Sequence, residues 1–313
     1  MLASAPMASV PSRLRPGDTV AVFASAGTGR WGLQPTQQGV AFLESFGLKV
    51  RIGKSVTGTP GYSVRPRQER ADDIMELVRD PEVRGLFGLI GGSTTAEILP
   101  LLDFADFARD PKVIMGSSDI AALLCAAQAR AGLVTYLGEN VMWGLSKARP
   151  ATRAHFQRTF IAPEAGPIPD EGERATWLPG TARGTLLASN LYTLRALIGT
   201  PFLPEFTGAI LAWEELHEDL EDLGNMLNHL RIAGHLQKLA GMVVGHLEGI
   251  EVEERGHTQD DFVKFALQGQ EIPVLKLTEF GHYRSSAILP MGLPVTVDAD
   301  RKRLVLDEPP TRP

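Results

Sequence analysis

The stretch from Lys112 to Leu124 constrains this chain more than any other. Val113-Ile114-Met115 is an apolar run, Gly116-Ser117-Ser118-Asp119 interrupts it, and an alanine- and leucine-rich helical pattern starts at once. A strand that turns straight into a helix through a Gly-x-Ser step holds a serine at a sharp, exposed turn, which is the setting of a nucleophile. Gly116, two residues before Ser118, supplies the backbone room such a turn needs. Asp119 then lies in the first turn of the helix, where unpaired N–H groups and the positive dipole end can face a developing oxyanion. Taken alone, Ser117 or Ser118 before a helix is more often just an N-cap. The rest of the chain has to decide.

The surrounding pattern is α/β. Strand-like runs at Thr19 to Ala24, Leu48 to Ile52, Gly85 to Ile90 and Val113 to Met115 alternate with helix-like runs at Gln37 to Phe46, Arg67 to Val78 and Thr94 to Leu102. Such alternation predicts a mostly parallel sheet with right-handed crossovers. Reactive groups in these sheets sit at the carboxyl ends of strands, where Gly91-Gly92 and Ser118 both fall. Residues 162–184 are rich in Pro, Gly and Glu with no apolar period, and read as a linker or flap. Beyond them lie helical signals at Ser189 to Ile198, Leu220 to Ala233 and Asp260 to Leu267. Strand signals fall at Ala209 to Trp213, Gly241 to Val244 and Val274 to Leu277, with a terminal hairpin at Pro294 to Asp298 and Arg303 to Asp307. At 313 residues, two domains are expected, 1–161 and 185–313 about that linker.

Composition removes several classes. A formal charge of −6 disfavours a nucleic-acid partner, which normally needs a basic patch. The one cysteine, Cys125, sits in an apolar helical pattern, so it reads as an inert buried thiol, and neither an internal disulfide nor a cysteine zinc cluster can form. No apolar run approaches the ~20 residues that span a bilayer. The first residues lack the basic and apolar regions of a signal peptide, which makes the cytoplasm the default location. Metal motifs fail as well. His217-Glu218 is not continued as H-E-x-x-H, because Glu221 stands where the second histidine belongs.

Gly27-Thr28-Gly29-Arg30-Trp31-Gly32 is formally a dinucleotide fingerprint, and an NADP-dependent oxidoreductase is the alternative it raises. Pro35 follows closely, the helical pattern begins only near Gln37, and the strand Leu48 to Ile52 does not end in the acidic residue that would bind a ribose hydroxyl. A 2′-phosphate contact through Arg51 stays conceivable. Two other segments speak for nucleophilic chemistry. Ile210 to Trp213 is an apolar strand ending in Glu214-Glu215, and His282 sits in a loop introduced by Gly281. Nucleophile, carboxylate and imidazole are the parts of a serine triad, which is recognised by roles and not by chain order. An α/β-hydrolase esterase fits less well, since Ile120 occupies the second small position of G-x-S-x-G. A non-catalytic peptide-binding relative would be expected to lose the triad.

These segments together resemble the LD-carboxypeptidase family of serine peptidases. The resemblance rests on Gly116-x-Ser118-Asp119, the Glu214-Glu215 strand end, and Gly281-His282 followed by Leu289-Pro290-x-Gly292. Leu14-Arg15-Pro16-Gly17-Asp18, Gly91-Gly92 with Ile98 to Asp103, and Ser189-Asn190-Leu191 with Leu197 to Pro201 lie between them in matching order. It implies a Rossmann-like N-terminal domain, a smaller α/β C-terminal domain and an active site at their junction. It makes Ser118 the nucleophile, His282 the general base and Glu214 the group that orients His282. The oxyanion hole would use the backbone N–H of Asp119 and one from the glycine-pair loop, at Gly92. Gly91, Asn190 and Trp177 are candidate substrate contacts, with an N-cap role as the alternative for Asn190 and surface packing for Trp177. No metal or organic cofactor is implied, and a homodimer is compatible with the resemblance.

The family's best-known activity releases D-alanine from cytoplasmic murein tetrapeptides at an L,D bond, and a sister branch cleaves microcin C-type peptidyl nucleotides. Ile90 stands where many recycling members have arginine, as in the immunity branch. The short segment before the second domain favours the recycling branch. The run from Glu214 to Asp222 carries six carboxylates and no Lys or Arg. Near an active site that field would favour a small peptide bearing an amine over one bearing a phosphate.

Overall fold

The computed structural model describes residues 8–26, 33–56, 65–254, 256–282 and 286–313. The first unit consists of β1 (Thr19–Phe23), α1 (Leu33–Glu44), β2 (Lys49–Ile52), α2 (Arg67–Arg79), β3 (Val83–Gly88), α3 (Phe104–Arg109), β4 (Val113–Gly116), α4 (Ala121–Ala131), β5 (Thr135–Leu137) and α5 (Pro150–Phe156). β2, β1, β3, β4 and β5 run parallel in that order, the doubly wound arrangement of a Rossmann-like sheet. The loops after β3 and β4 therefore open on the same edge of the sheet.

The second unit consists of β6 (Gly166–Pro167), β7 (Arg174–Leu178), β8 (Thr181–Asn190), α6 (Leu191–Ala196), β9 (Ala209–Leu216), α7 (Leu220–Ile232), β10 (Gly241–Glu248), the small pair β11 (Glu253–Glu254) and β12 (His257–Thr258), α8 (Gln259–Leu267) and β13 (Val274–Leu277). After them come β14 (Leu289–Met291), β15 (Pro294–Asp298) and β16 (Arg303–Leu306). An eight-stranded sheet runs β6-β16-β15-β8-β9-β10-β13-β7, with β8, β9, β10 and β13 parallel at its heart. β15 and β16 form the expected terminal hairpin.

Four differences from the sequence reading have physical causes. Residues 162–184 are not a linker. They supply the edge strands β6 and β7, whose backbone pairing needs no apolar alternation, and the start of β8. β5 was missed because it is only three residues long, and Leu289–Met291 because its partner lies far away in the chain. This β14 leaves the second unit to pair antiparallel with β5 in the first. Within the described residues helix α1 runs from Leu33, four residues earlier than the pattern suggested, and accommodates Pro35 close to that end. The Thr95–Leu101 segment is a 3₁₀ helix containing Pro100.

The two units share one core. Every residue of α4 from Ala121 to Ala127 is buried, so this helix has no solvent face in its first two turns. It packs on β4 and β5 on one side and on β8 and α6 on the other. Its run of alanine and leucine is what a helix apolar all round requires. Cys125 lies within it, and burial pushes the thiol up to about 12, which leaves it inert. The returning chain is fastened at several points. Ile288 N donates to His155 Nδ1 at 2.8 Å, Tyr136 Oη donates to Pro310 O at 2.6 Å, and Arg13 N donates to Arg312 O at 2.7 Å.

Burial, with help from the Arg158 charge, drives the His155 pKa down to about 4. A histidine whose folded pKa is depressed stabilises the fold above its ordinary value of 6.5, and that contribution is lost as the pH falls towards 4. Urea unfolding at pH 7.5 and 4.5 should therefore show the wild type losing on the order of 2–3 kcal/mol more than His155→Gln. Parallel pH dependence in the two proteins would contradict this.

Candidate active site

Ser118 has φ +58, the left-handed region that an L-residue enters only when its surroundings compel it. Three features compel it. β4 ends at Gly116, where a Cβ would lie 2.6 Å from Ile120 Cγ2, so only glycine lets the next turn fold back this closely. The Asn140 side chain clamps the peptide of Ser117, accepting from its N–H at 3.0 Å and donating to its carbonyl at 3.4 Å. Gly138 N donates to Gly116 O at 3.0 Å, so the segment after β5 holds the elbow from the side.

The glycine pair reaches the same point from β3. A Cβ on Gly91 would lie 2.7 Å from Ser118 Cβ, 2.8 Å from its Oγ and 3.4 Å from Asp119 N. The Gly91 backbone is therefore packed directly against the serine, and Gly92 follows it in the exposed part of the loop. Asp119 does more than contribute a backbone N–H. Its buried carboxylate accepts from Thr94 N at 2.9 Å and Thr95 N at 2.8 Å, lashing the elbow to the glycine loop. Arg70, almost fully buried, braces that loop from behind through the Ser25 and Thr94 carbonyls and Glu97. Sequence reading missed Asn140 and Arg70, since an Asn in a loop and an Arg in a charged helix carry no local signal of such partners.

The second unit supplies the other two groups. Asn190 and Glu214 are cross-strand partners at the carboxyl ends of β8 and β9. Glu214 is buried, and its Oε2 accepts from the His282 backbone N–H at 3.2 Å and lies 2.6 Å from His282 Nδ1. Its Oε1 has no hydrogen-bond partner among the described residues, so the imidazole is the main recipient of this charge. Burial works to lower the His282 pKa. The Glu214 charge and hydrogen bond, with the charges of Glu215 and Glu139, outweigh it and hold the pKa above the ordinary histidine value. The Ser118–Ile120 turn packs on β8, and Glu139 sits next to Asn140, so the two halves face each other across the domain junction.

Other candidates fall elsewhere. Glu215 faces away from His282 and accepts from Asn190 Nδ2 at 2.8 Å, Tyr192 N at 2.7 Å and Leu216 N at 3.0 Å. Burial pushes its pKa up against those donors. Asn190 makes the N-cap of α6, with Oδ1 accepting from Thr193 N at 3.1 Å, while its Nδ2 donates to Glu215 Oε1. Trp177 is in β7 at the sheet edge, with β13 and β10 between it and β9, and its ring lies 5.3 Å from Lys276 Nζ. That placement is packing, away from Glu214. The Gly27 to Gly32 loop lies outside the described residues, and Arg51, the conceivable 2′-phosphate contact, is paired with Glu76 and Asp80. Among the described residues no cluster of three His, Cys, Asp or Glu could hold a metal, and no helix is long and apolar enough to cross a membrane.

Residues 20–138 match the N-terminal domain of LD-carboxypeptidases, and residues 183–297 match their C-terminal domain. The chain belongs to the LD-carboxypeptidase family. As a member it is a carboxypeptidase of the serine type. It is 30% identical over 301 residues to a probable murein peptide carboxypeptidase of Bacillus subtilis, covering 95% of this chain and 94% of that protein. It is 25% identical to the microcin C7 self-immunity protein MccF of Escherichia coli, covering 98% of each. Solved structures give the same pair of likenesses. MccF in its inactive mutant apo state superimposes with TM-score 0.84 at 25% identity, covering 96% of this chain and 98% of that one. Muramoyltetrapeptide carboxypeptidase from Oxalobacter formigenes gives 0.78 at 25% identity, covering 93% and 99%.

The Asn140 clamp yields a test independent of turnover. Asn140→Ala leaves both polar groups of a half-buried peptide without their partner, so it should destabilise the protein by about 1–3 kcal/mol in urea unfolding. A change within about 0.5 kcal/mol, as for an ordinary surface substitution, would contradict the clamp.

Proposed function

We propose that this LD-carboxypeptidase hydrolyses the terminal L,D-peptide bond of a murein tetrapeptide in the cytoplasm, releasing D-alanine, with Ser118, His282 and Glu214 as its triad. The observation that carries the triad is the buried Glu214–His282 hydrogen bond of 2.6 Å, which fixes Nδ1 as the donor and leaves Nε2 as the basic nitrogen. Ser118 Oγ attacks the scissile carbonyl and its proton passes to His282 Nε2. The oxyanion forms against the Asp119 N–H and a glycine-loop N–H at Gly92. His282 then protonates the departing D-alanine amine. Water, deprotonated by the same nitrogen, cleaves the acyl-enzyme and regenerates Ser118.

Ser118→Ala should lower kcat by ~10⁴-fold or more with the fold retained, whereas Ser117→Ala should be far milder. Glu214→Gln should depress kcat by several orders of magnitude. Glu215→Gln should act on stability, because an amide cannot accept three N–H groups as the carboxylate does. Steady-state kinetics on the purified variants decide the ranking. His282 works as base only when neutral and its pKa is raised, so the acid limb of kcat/KM should fall above pH 6.5. A limb below that value would contradict the carboxylate surroundings described here.

Substrate choice rests on a second argument. Of the carboxylates between Glu214 and Asp222, Glu214 and Glu215 are engaged inside the protein and Asp219 caps α7 through Asp222 N at 2.7 Å. Glu218 and Asp222 add negative charge that biases the surroundings against phosphate and towards an amine-bearing peptide stem. A peptidyl-nucleotide conjugate, the substrate type suggested by the MccF likeness, is the competing reading. Comparing kcat/KM for a tetrapeptide ending in D-alanine with that for an aminoacyl sulfamoyl adenosine separates the two. The tetrapeptide should be preferred, and a clear preference for the adenosine conjugate would overturn the choice.

A further inference from the structure

The loop carrying His282 leaves and returns through one narrow neck. The Glu279 carbonyl accepts from both Ser286 N and Ala287 N at 2.8 Å, tying the residue three before His282 to the returning chain. Phe280 is buried at the near side of the neck, and its carbonyl accepts from His246 N at 2.8 Å. Gly281, at φ +126, lies so close to the His246 backbone that a Cβ would come within 3.0 Å of it.

The side chain of Glu279 is tied to a distant part of the chain. Its carboxylate is fully buried, and Oε1 accepts from Arg174 Nε at 2.6 Å and from Glu171 N at 3.3 Å. Arg174, with a side chain only 6% exposed, also donates from Nη1 to Lys302 O at 2.9 Å and from Nη2 to Pro169 O. A guanidinium spreads its donors over three nitrogens in a planar fork and so reaches acceptors set apart around it, whereas the donors of an ammonium all radiate from one atom. Gly172 leaves the space this requires, since a Cβ there would lie 2.9 Å from Glu279 Oε2. Thr278 adds a second tie, accepting from Glu173 N at 2.8 Å.

We infer that the buried Arg174–Glu279 pair is a positioning device for catalysis, anchoring the neck of the His282 loop so that the imidazole stays seated on Glu214. The inference rests on His282 being the general base. It gives residues 166–174 a role in catalysis although none of them belongs to the triad. A loose neck lets the ring drift from Glu214 Oε2, and a misplacement of ~1 Å can cost about 10²-fold in rate.

The test uses the full-length protein with a D-alanine-terminated tetrapeptide. Arg174→Met/Glu279→Leu removes the tie without leaving a buried charge unpaired. It should lower kcat by about 10- to 100-fold with KM nearly unchanged. Its acid limb should move to lower pH, because the imidazole loses part of its contact with Glu214, whose charge and hydrogen bond help to hold the pKa up. Glu279→Gln keeps an acceptor for Arg174 and should retain most of the activity. Arg174→Lys keeps the charge but not the fork, and should show a several-fold fall in kcat with the same KM. It decides the matter if the double variant does not fold. Wild-type kcat and pH profile in a folded double variant, or in Arg174→Lys should the double variant not fold, would overturn the inference. His282→Asn is the control: if it retains turnover, the general-base reading fails and not the anchor alone.

Discussion

Helix α4 is the constraint on which the rest depends. A helix buried on every side through its first two turns must find apolar surface all round, and one sheet offers only one face. The second unit supplies the other face through β8 and α6, so the apolar demand of Ala121 to Ala127 presses the two units together. Because the serine turn leads directly into α4, the same packing sets that turn against β8. There Asn190 and Glu214 end their strands side by side. The position of the site is thus a consequence of core burial. Its fine geometry is left to polar ties such as the Asn140 clamp and the Asp119 lashing.

Much of this is legible in the sequence, and what is not has a common cause. The strand-to-helix step at Gly116-Ser117-Ser118 carries its meaning locally, since glycine spacing and helix pattern lie within a few residues of each other. The parallel sheet follows from alternation over longer windows in the same way. Residues 162–184 hide their strands because edge pairing is made through backbone groups, which composition does not reveal. β14 is hidden because a strand that crosses back to β5 has no neighbour in sequence to pair with. Asn190 presents the same Asn-before-helix signal in either of its two readings. The contacts with Thr193 and Glu215 show the N-cap.

The electrostatics of the site divide labour among adjacent carboxylates. Glu214 and Glu215 are sequence neighbours with opposite orientations, as successive strand residues must be. Glu215 has its charge satisfied by three N–H donors and serves α6. Glu214 has its charge directed at His282, with one oxygen left unpartnered among the described residues. An isolated buried carboxylate is expensive. In the proposed mechanism the imidazolium formed during turnover would be its cation. The strained Ser118 backbone is a parallel case, a local cost held in place by packing.

The most direct measurement of the central claim is reaction with a fluorophosphonate, which phosphonylates a serine only when a neighbouring base activates it. Digestion and mass spectrometry should find one adduct, on the peptide containing Ser118, and His282→Asn should remain unlabelled under the same conditions. Labelling at another residue, or equal labelling of the His282→Asn variant, would contradict a nucleophile at Ser118 served by His282.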